Sequence, residues 1–166
     1  RGSTGLNRTD GLLQDTLHSV SLNSKLGLIG DFNAWIGSSK DLWSGVLGCH
    51  GVEKCNANEL SLLSLCAENN LVITDTLFKL KNLDKTSWKH PRSKTWHLID
   101  YIITRKVDCR DFLITKVMRG ADGCTDHRMV LSKLKVRIEI LVRRGAPPAK
   151  RHLKKLNSGT VIILEL

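Results

Sequence analysis

The run Leu26-Gly27-Leu28-Ile29-Gly30-Asp31-Phe32-Asn33-Ala34 constrains the chain more than any other stretch. Its apolar residues predict a short buried strand, and Gly30 lets the backbone turn where a Cβ would crowd it. Asp31 and Asn33 stand two apart, so an extended chain points both toward whatever lies beyond the strand end. A carboxylate beside a carboxamide can position a water and a phosphate. A plain turn, with Asp31 bonded to nearby backbone N–H groups, explains the same residues. Clusters further along the chain weigh on that choice.

The chain around this strand reads as a mixed α/β layer. Residues 9 to 21 are spaced as a helix with Leu12, Leu13, Leu17 and Val20 on one side, capped by Thr9 or Asp10. Trp35 to Asn58 is loop-like, and a loop this long in a compact domain is more often functional than idle. A second helix runs from Asn58 to about Asn69 with Leu60, Leu63 and Ala67 as its buried stripe. Strands follow over Leu71 to Thr74, Leu98 to Thr104, Phe112 to Met118 and Val130 to Ile140. In the last, Leu134, Val136, Ile138 and Ile140 form a buried face against basic neighbours. The domain is expected to cover residues 1–141. Residues 142–166 read as a basic linker and a β-prone apolar tail.

Two further polar clusters sit beside apolar runs: Asp100 within Leu98 to Ile103, and Thr125-Asp126-His127 just before a strand. An ionised carboxylate in an apolar strand needs a donor, and His127 is the candidate for Asp100. A carboxylate fixes the imidazole's tautomer and favours its charged form, which can donate to a phosphate oxygen. Asp126 is then left to hold a hydrated Mg²⁺. Each has a plainer reading: Asp100 bonded to backbone, Asp126 a cap, His127 a surface histidine.

Composition limits the partners. Lys and Arg number 26 against 16 Asp and Glu, a formal charge of +10, which favours a polyanion. No apolar run reaches the length of a membrane helix, so no membrane partner is expected. The five cysteines form no C-x-x-C pair, which argues for a reducing compartment and against a disulfide framework. Cys49, His50 and Cys55 lack the second pair that a structural zinc site needs.

The ordered set Gly30 to Ala34, Ile99 to Tyr101 and Thr125 to His127 resembles the endonuclease/exonuclease/phosphatase family. The likeness is greatest to the apurinic-type endonuclease domain of RTE-like non-LTR retrotransposons and to craniofacial development protein-like host proteins. They share Lys54-Cys55-Asn56, Leu65-Cys66-Ala67-Glu68, Lys85-Thr86-Ser87-Trp88, His90-Pro91-Arg92-Ser93-Lys94 and Trp96-His97. The resemblance covers about residues 10 to 140.

It implies an α/β sandwich with mostly antiparallel sheets and flanking helices, of which this chain is similar to the C-terminal half. It also implies Mg²⁺-dependent phosphodiester hydrolysis of DNA in the nucleus, with Mn²⁺ as a substitute. Asp31 would activate water, Asn33 would hold the phosphate, Asp100 would pair with His127, and His127 would stabilise the pentacovalent state. Asp126 would meet the metal, while Trp88, His90, Arg92, Lys94 and Trp96 would meet DNA. The family's main metal-binding Glu has no counterpart here, so the expected activity is weakened or lost. Sheet faces left uncovered offer a route to self-association. The alternative is a non-catalytic basic DNA-binding or interaction fragment. A small phosphoester is the third substrate class in view, against which the basic segment and paired tryptophans favour a polymer.

Overall fold

The computed structural model describes residues 6–22, 24–52, 56–120, 125–135 and 161–165, without the side chains of 6–12 and 161–165. Helix α1 (Leu6–Ser19) leads into β1 (Lys25–Asp31), and α2 (Ala57–Glu68) follows a long irregular stretch. Then come β2 (Leu71–Ile73), β3 (Trp88–Lys89), β4 (Trp96–His97), β5 (Asp100–Arg105), β6 (Phe112–Val117), β7 (Val130–Leu134) and β8 (Val161–Glu165). The main sheet has the order β2-β5-β1-β8. Its β2/β5 and β5/β1 pairs are antiparallel, whereas β8 joins β1 in parallel. β3/β4 and β6/β7 form two further antiparallel pairs. The fold is therefore mixed α/β with antiparallel sheets and flanking helices, consistent with part of an α/β sandwich. Among the described residues no helix is long and apolar enough to cross a membrane.

One face of the sheet is closed by the helices. Leu26 and Leu28 of β1, Leu71 and Ile73 of β2, and Tyr101 and Ile103 of β5 share a core with Leu13 and Leu17 of α1 and with Leu62, Leu63, Leu65 and Cys66 of α2. Each fully buried leucine or isoleucine contributes roughly 1.5–3 kcal/mol, enough that this layer sets the register. The other face meets the β6/β7 pair, where Thr115 Oγ1 donates to Thr74 Oγ1 at 3.0 Å. The irregular stretch after β1 is also anchored. Ile36, Val46 and Leu47 are buried in the same core, and Ile73 N–H donates to Val46 O at 3.0 Å.

Several local expectations shift. α1 starts at Leu6, so Thr9 and Asp10 lie inside it and do not cap it. α2 is capped by Asn56, whose side chain accepts from Glu59 N–H. That fixes the helix phase, and the buried residues are Leu62, Leu63, Leu65 and Cys66. Leu60 is 64% exposed and Ala67 is exposed as well. The segment is apolar on more than one side, so spacing alone could not set the phase. In β7, Leu134 is 40% exposed. The rest of the alternating run, Val136 to Ile140, lies outside the described residues.

Candidate active site

β1 and β5 finish at the same end of the sheet. Their antiparallel register sets Asp31 opposite Asp100, and Phe32 N–H donates to Ile99 O at 3.0 Å just beyond. Asn33 does not continue the extended chain. Its φ is 49°, in the left-handed region that asparagine tolerates. Asp31 and Asn33 are therefore not successive same-side positions of one extended strand. Asn33 N–H instead turns back to donate to Asp31 Oδ1 at 2.9 Å. Asn33 O accepts from Asn56 Nδ2 at 3.0 Å and Asn58 Nδ2 at 2.9 Å, which ties the turn to the start of α2.

His127 arrives on a third segment. Trp88 forms an antiparallel bridge with His127, Lys89 N–H donates to Asp126 O at 3.0 Å, and Arg128 N–H donates to Ser87 O at 2.7 Å. The 125–128 segment thus extends the β3/β4 pair into a three-stranded ladder. Ser87 joins this ladder to β5. It is fully buried, and its Oγ accepts from Ile99 N–H at 3.4 Å and Asp100 N–H at 3.3 Å.

These supports bring Asp31, Asp100 and His127 together, with one ligand atom of each within 4.8 Å of the others. His127 Nδ1 lies 3.1 Å from Asp100 Oδ2, leaving Nε2 as the other ring nitrogen. Asp31 has a raised carboxyl pKa, chiefly because protein atoms crowd water from it; the Asn33 N–H opposes the rise, Asp100 adds to it and His127 opposes it.

Asp126 stands outside this cluster. Its Oδ2 accepts from Trp88 Nε1 at 2.7 Å, and that bond is the main cause holding its carboxyl pKa down.

The residues expected on a DNA surface divide. Trp88 lies 5.3 Å from His90 between ring centroids and 6.3 Å from His127, beside the cluster. Trp96 carries the Arg128 guanidinium, 3.4 Å from its ring centroid, and Lys89 Nζ at 5.7 Å. Arg92 and Lys94 are exposed on the turn joining β3 to β4, where Lys94 has a φ of 57°. His90 Nδ1 accepts from Ser93 N–H at 3.1 Å within that turn.

Four supporting residues escaped the reading of the sequence as site residues. Ser87 and Asn56 stand in stretches shared with the resembling family, but nothing in their residue type marks them as supports of the site. Tyr101 is buried with its hydroxyl 2.9 Å from both Ala34 O and Leu98 O, joining the turn after β1 to the approach to β5. Asp75, after β2, repeats the signal of Asp31 in being a carboxylate just past an apolar strand. It is buried, accepts from Ile102 N–H at 2.9 Å, and burial pushes its pKa up to about 7. In the loop after β1, the Trp35 ring stacks on His97 with centroids 4.6 Å apart.

Fold and site together define a mixed α/β protein with an acid–histidine cluster at converging strand ends. No protein-family model matches the chain. Over 137 residues, 81% of its length, it is 30% identical to Craniofacial development protein 2 of Bos taurus. It is 29% identical to the protein of the same name from Tragulus javanicus over a stretch of equal length. The chain spans 23% and 24% of those relatives. It is thereby related to the Craniofacial development protein 2 family.

Proposed function

We propose that the Asp31–Asp100–His127 cluster is a phosphodiester-hydrolysing site of the endonuclease/exonuclease/phosphatase type, acting on DNA in the nucleus with Mg²⁺. The observation that carries this reading is the convergence of two carboxylates and an imidazole from three separate segments, with His127 Nδ1 at 3.1 Å from Asp100 Oδ2.

Each side chain suits a distinct task. Asp31 is exposed to solvent, and its raised pKa makes it a stronger base toward a water proton than an ordinary carboxylate. Asp100 orients His127 through Nδ1, so that Nε2 can donate to a phosphate oxygen as negative charge accumulates there. Asn33, exposed one residue past Phe32, lies beside the same strand end.

The donor set fits a divalent cation. Carboxylate oxygens suit Mg²⁺ and Mn²⁺, and an imidazole nitrogen is acceptable to Mn²⁺. Asp31 and Asp100 would hold the ion, with Asp126 close in sequence but bonded to Trp88. A bound ion would supply Lewis-acid charge to the phosphate. Two carboxylates leave much of an octahedron to water, so affinity and turnover are both expected to be low.

The test uses duplex DNA with and without an abasic site, in Mg²⁺ or Mn²⁺, with products resolved on a denaturing gel. Slow cleavage that disappears in Asp31→Ala and in His127→Ala, with duplex affinity retained, is the expected result. Duplex binding without any cleavage overturns the hydrolase reading and leaves a basic DNA-binding fragment.

A further inference from the structure

The ladder formed by β4, β3 and the 125–128 segment has two faces with different chemistry. Opposed residues project to the same side, and neighbours along a strand alternate. Trp88 is opposed by His97 on one flank and His127 on the other. The three rings share a side accordingly, with Trp88 at 6.0 Å from His97 and 6.3 Å from His127. That side carries the imidazole of the cluster. Lys89 is opposed by Trp96, and Arg128 follows His127, so alternation sends these three to the reverse side. Their contacts agree: Arg128 lies flat on Trp96 at 3.4 Å, and Lys89 Nζ approaches the same ring at 5.7 Å.

We propose that this reverse face is a second nucleic-acid contact, in which Lys89, Trp96 and Arg128 hold the phosphodiester backbone of a stretch of strand remote from the hydrolytic cluster. The proposal rests on the reading of DNA as partner. It deepens that reading by naming the substrate class: a polymer long enough to pass round the ladder's edge, rather than a small phosphoester.

Three observations support it. Lys89, Trp96 and Arg128 are all part-exposed. Among the described residues neither cation has a carboxylate partner, although the chain holds 16 acidic residues. Arg128 Nε and Nη1 are buried and have no acceptor among the described residues. Stacking fixes the guanidinium in place and leaves it less hydrated than an ammonium, which lowers the cost of meeting a phosphate. Arg92 and Lys94, exposed on the β3–β4 turn, continue the positive charge between the faces.

The experiment measures duplex DNA binding by fluorescence anisotropy across a salt series, for the unaltered chain and for Lys89→Gln, Arg128→Gln and Arg110→Gln. Arg110 is an exposed cation outside the ladder and reports the effect of lost charge alone. Lys89→Gln and Arg128→Gln are each expected to weaken binding several-fold and to reduce the log–log salt slope by about 1, with Arg110→Gln changing neither to that extent. Circular dichroism checks folding; if Arg128→Gln unfolds, Lys89→Gln decides alone. Slopes no different from that of Arg110→Gln overturn the proposal while leaving DNA as partner. Absence of DNA binding by the unaltered chain overturns both. Competition by polyglutamate as effective as by DNA also overturns it, in favour of an acidic protein partner.

Discussion

Asp31 and Asp100 face each other across the β1/β5 ladder at the end of the sheet. Like charges in that relation destabilise a strand pair by a few tenths to about 1 kcal/mol. His127 offsets part of the repulsion through its contact with Asp100. The Asp31 carboxyl pKa is raised chiefly because protein atoms crowd water from it, with the Asp100 charge adding to the rise, so its ionised form is penalised in the folded state. The sign follows: stability from this group is greatest below the unfolded carboxylate value and falls as pH rises through the folded one. Asp31→Asn is therefore expected to be slightly more stable than the unaltered chain at neutral pH, by about a few tenths of a kcal/mol given the exposure of the site. That gain should fade in acid. Urea unfolding at the two pH values measures it. An Asn variant that is less stable at neutral pH would show that the Asn33 N–H bond to Asp31 outweighs the repulsion.

Ser87 makes a different demand. Its buried Oγ is the acceptor for Ile99 and Asp100 N–H, and its carbonyl holds Arg128 N–H. Ser87→Ala removes the side-chain acceptor while leaving the donors buried, at an expected cost of about 1–3 kcal/mol. The same change loosens the element that carries Asp100 against the one that carries His127. The expected result is a lower unfolding midpoint together with altered His127 ring resonances in NMR spectra. Loss of stability with unchanged His127 resonances would restrict Ser87 to a structural role.

What could be read from residues alone was whatever one strand or helix decides by itself. The apolar run before Asp31 becomes β1 and the run around Ile103 becomes β5, because continuous burial on both faces leaves no other use for such segments. The pairing of Asp100 with His127 followed from the cost of an unpaired carboxylate. The rest depends on distant parts of the chain. Asn33 leaves the extended conformation because Asn56 and Asn58, on the far side of a long irregular stretch, hold its carbonyl. The phase of α2 follows its cap and the layer beneath it. The division between Trp88 and Trp96 is a consequence of strand alternation in a ladder whose third member, the 125–128 segment, lies some 30 residues further along the chain. The pairing of β8 with β1 likewise joins residues far apart, and its parallel direction has no local signal.

Gly48 tests the anchoring of the stretch between β1 and α2. A Cβ built there would lie 2.2 Å from Thr76 O and 2.6 Å from Thr76 C. Both are backbone atoms, and they cannot swing aside as a flexible side chain would. Gly48 N–H also donates to Thr76 Oγ1 at 2.7 Å, which keeps the two segments in contact. Gly48→Ala is expected to cost about 1–3 kcal/mol or more through overpacking, read as a fall in thermal midpoint. An unchanged midpoint would mean that this stretch can move away from β2 at little cost.

Asp75 gives the pH dependence of the core its sign. Its carboxyl is buried beneath the sheet end, and burial raises its pKa from 3.8 to about 7. The Ile102 N–H bond and the positive charge of Lys85 oppose the rise, while Asp100 adds to it. Lys85 is itself buried, with its pKa lowered by that burial, and it donates to His50 O. A folded pKa above the unfolded one means that the protonated acid is favoured in the native state. Its contribution to stability is complete below about pH 4 and is lost as pH rises through about 7. Asp75→Asn keeps an acceptor for Ile102 N–H but cannot ionise. Relative to the unaltered chain its stability should therefore climb between about pH 4 and pH 7, by up to about 4 kcal/mol, less what Lys85 loses with its counter-charge. Denaturant unfolding across that range is the measurement. A difference that stays flat with pH would show that Asp75 titrates alike in the folded and unfolded states; one that shrinks would show that its charge is stabilised by Lys85 more than burial opposes it.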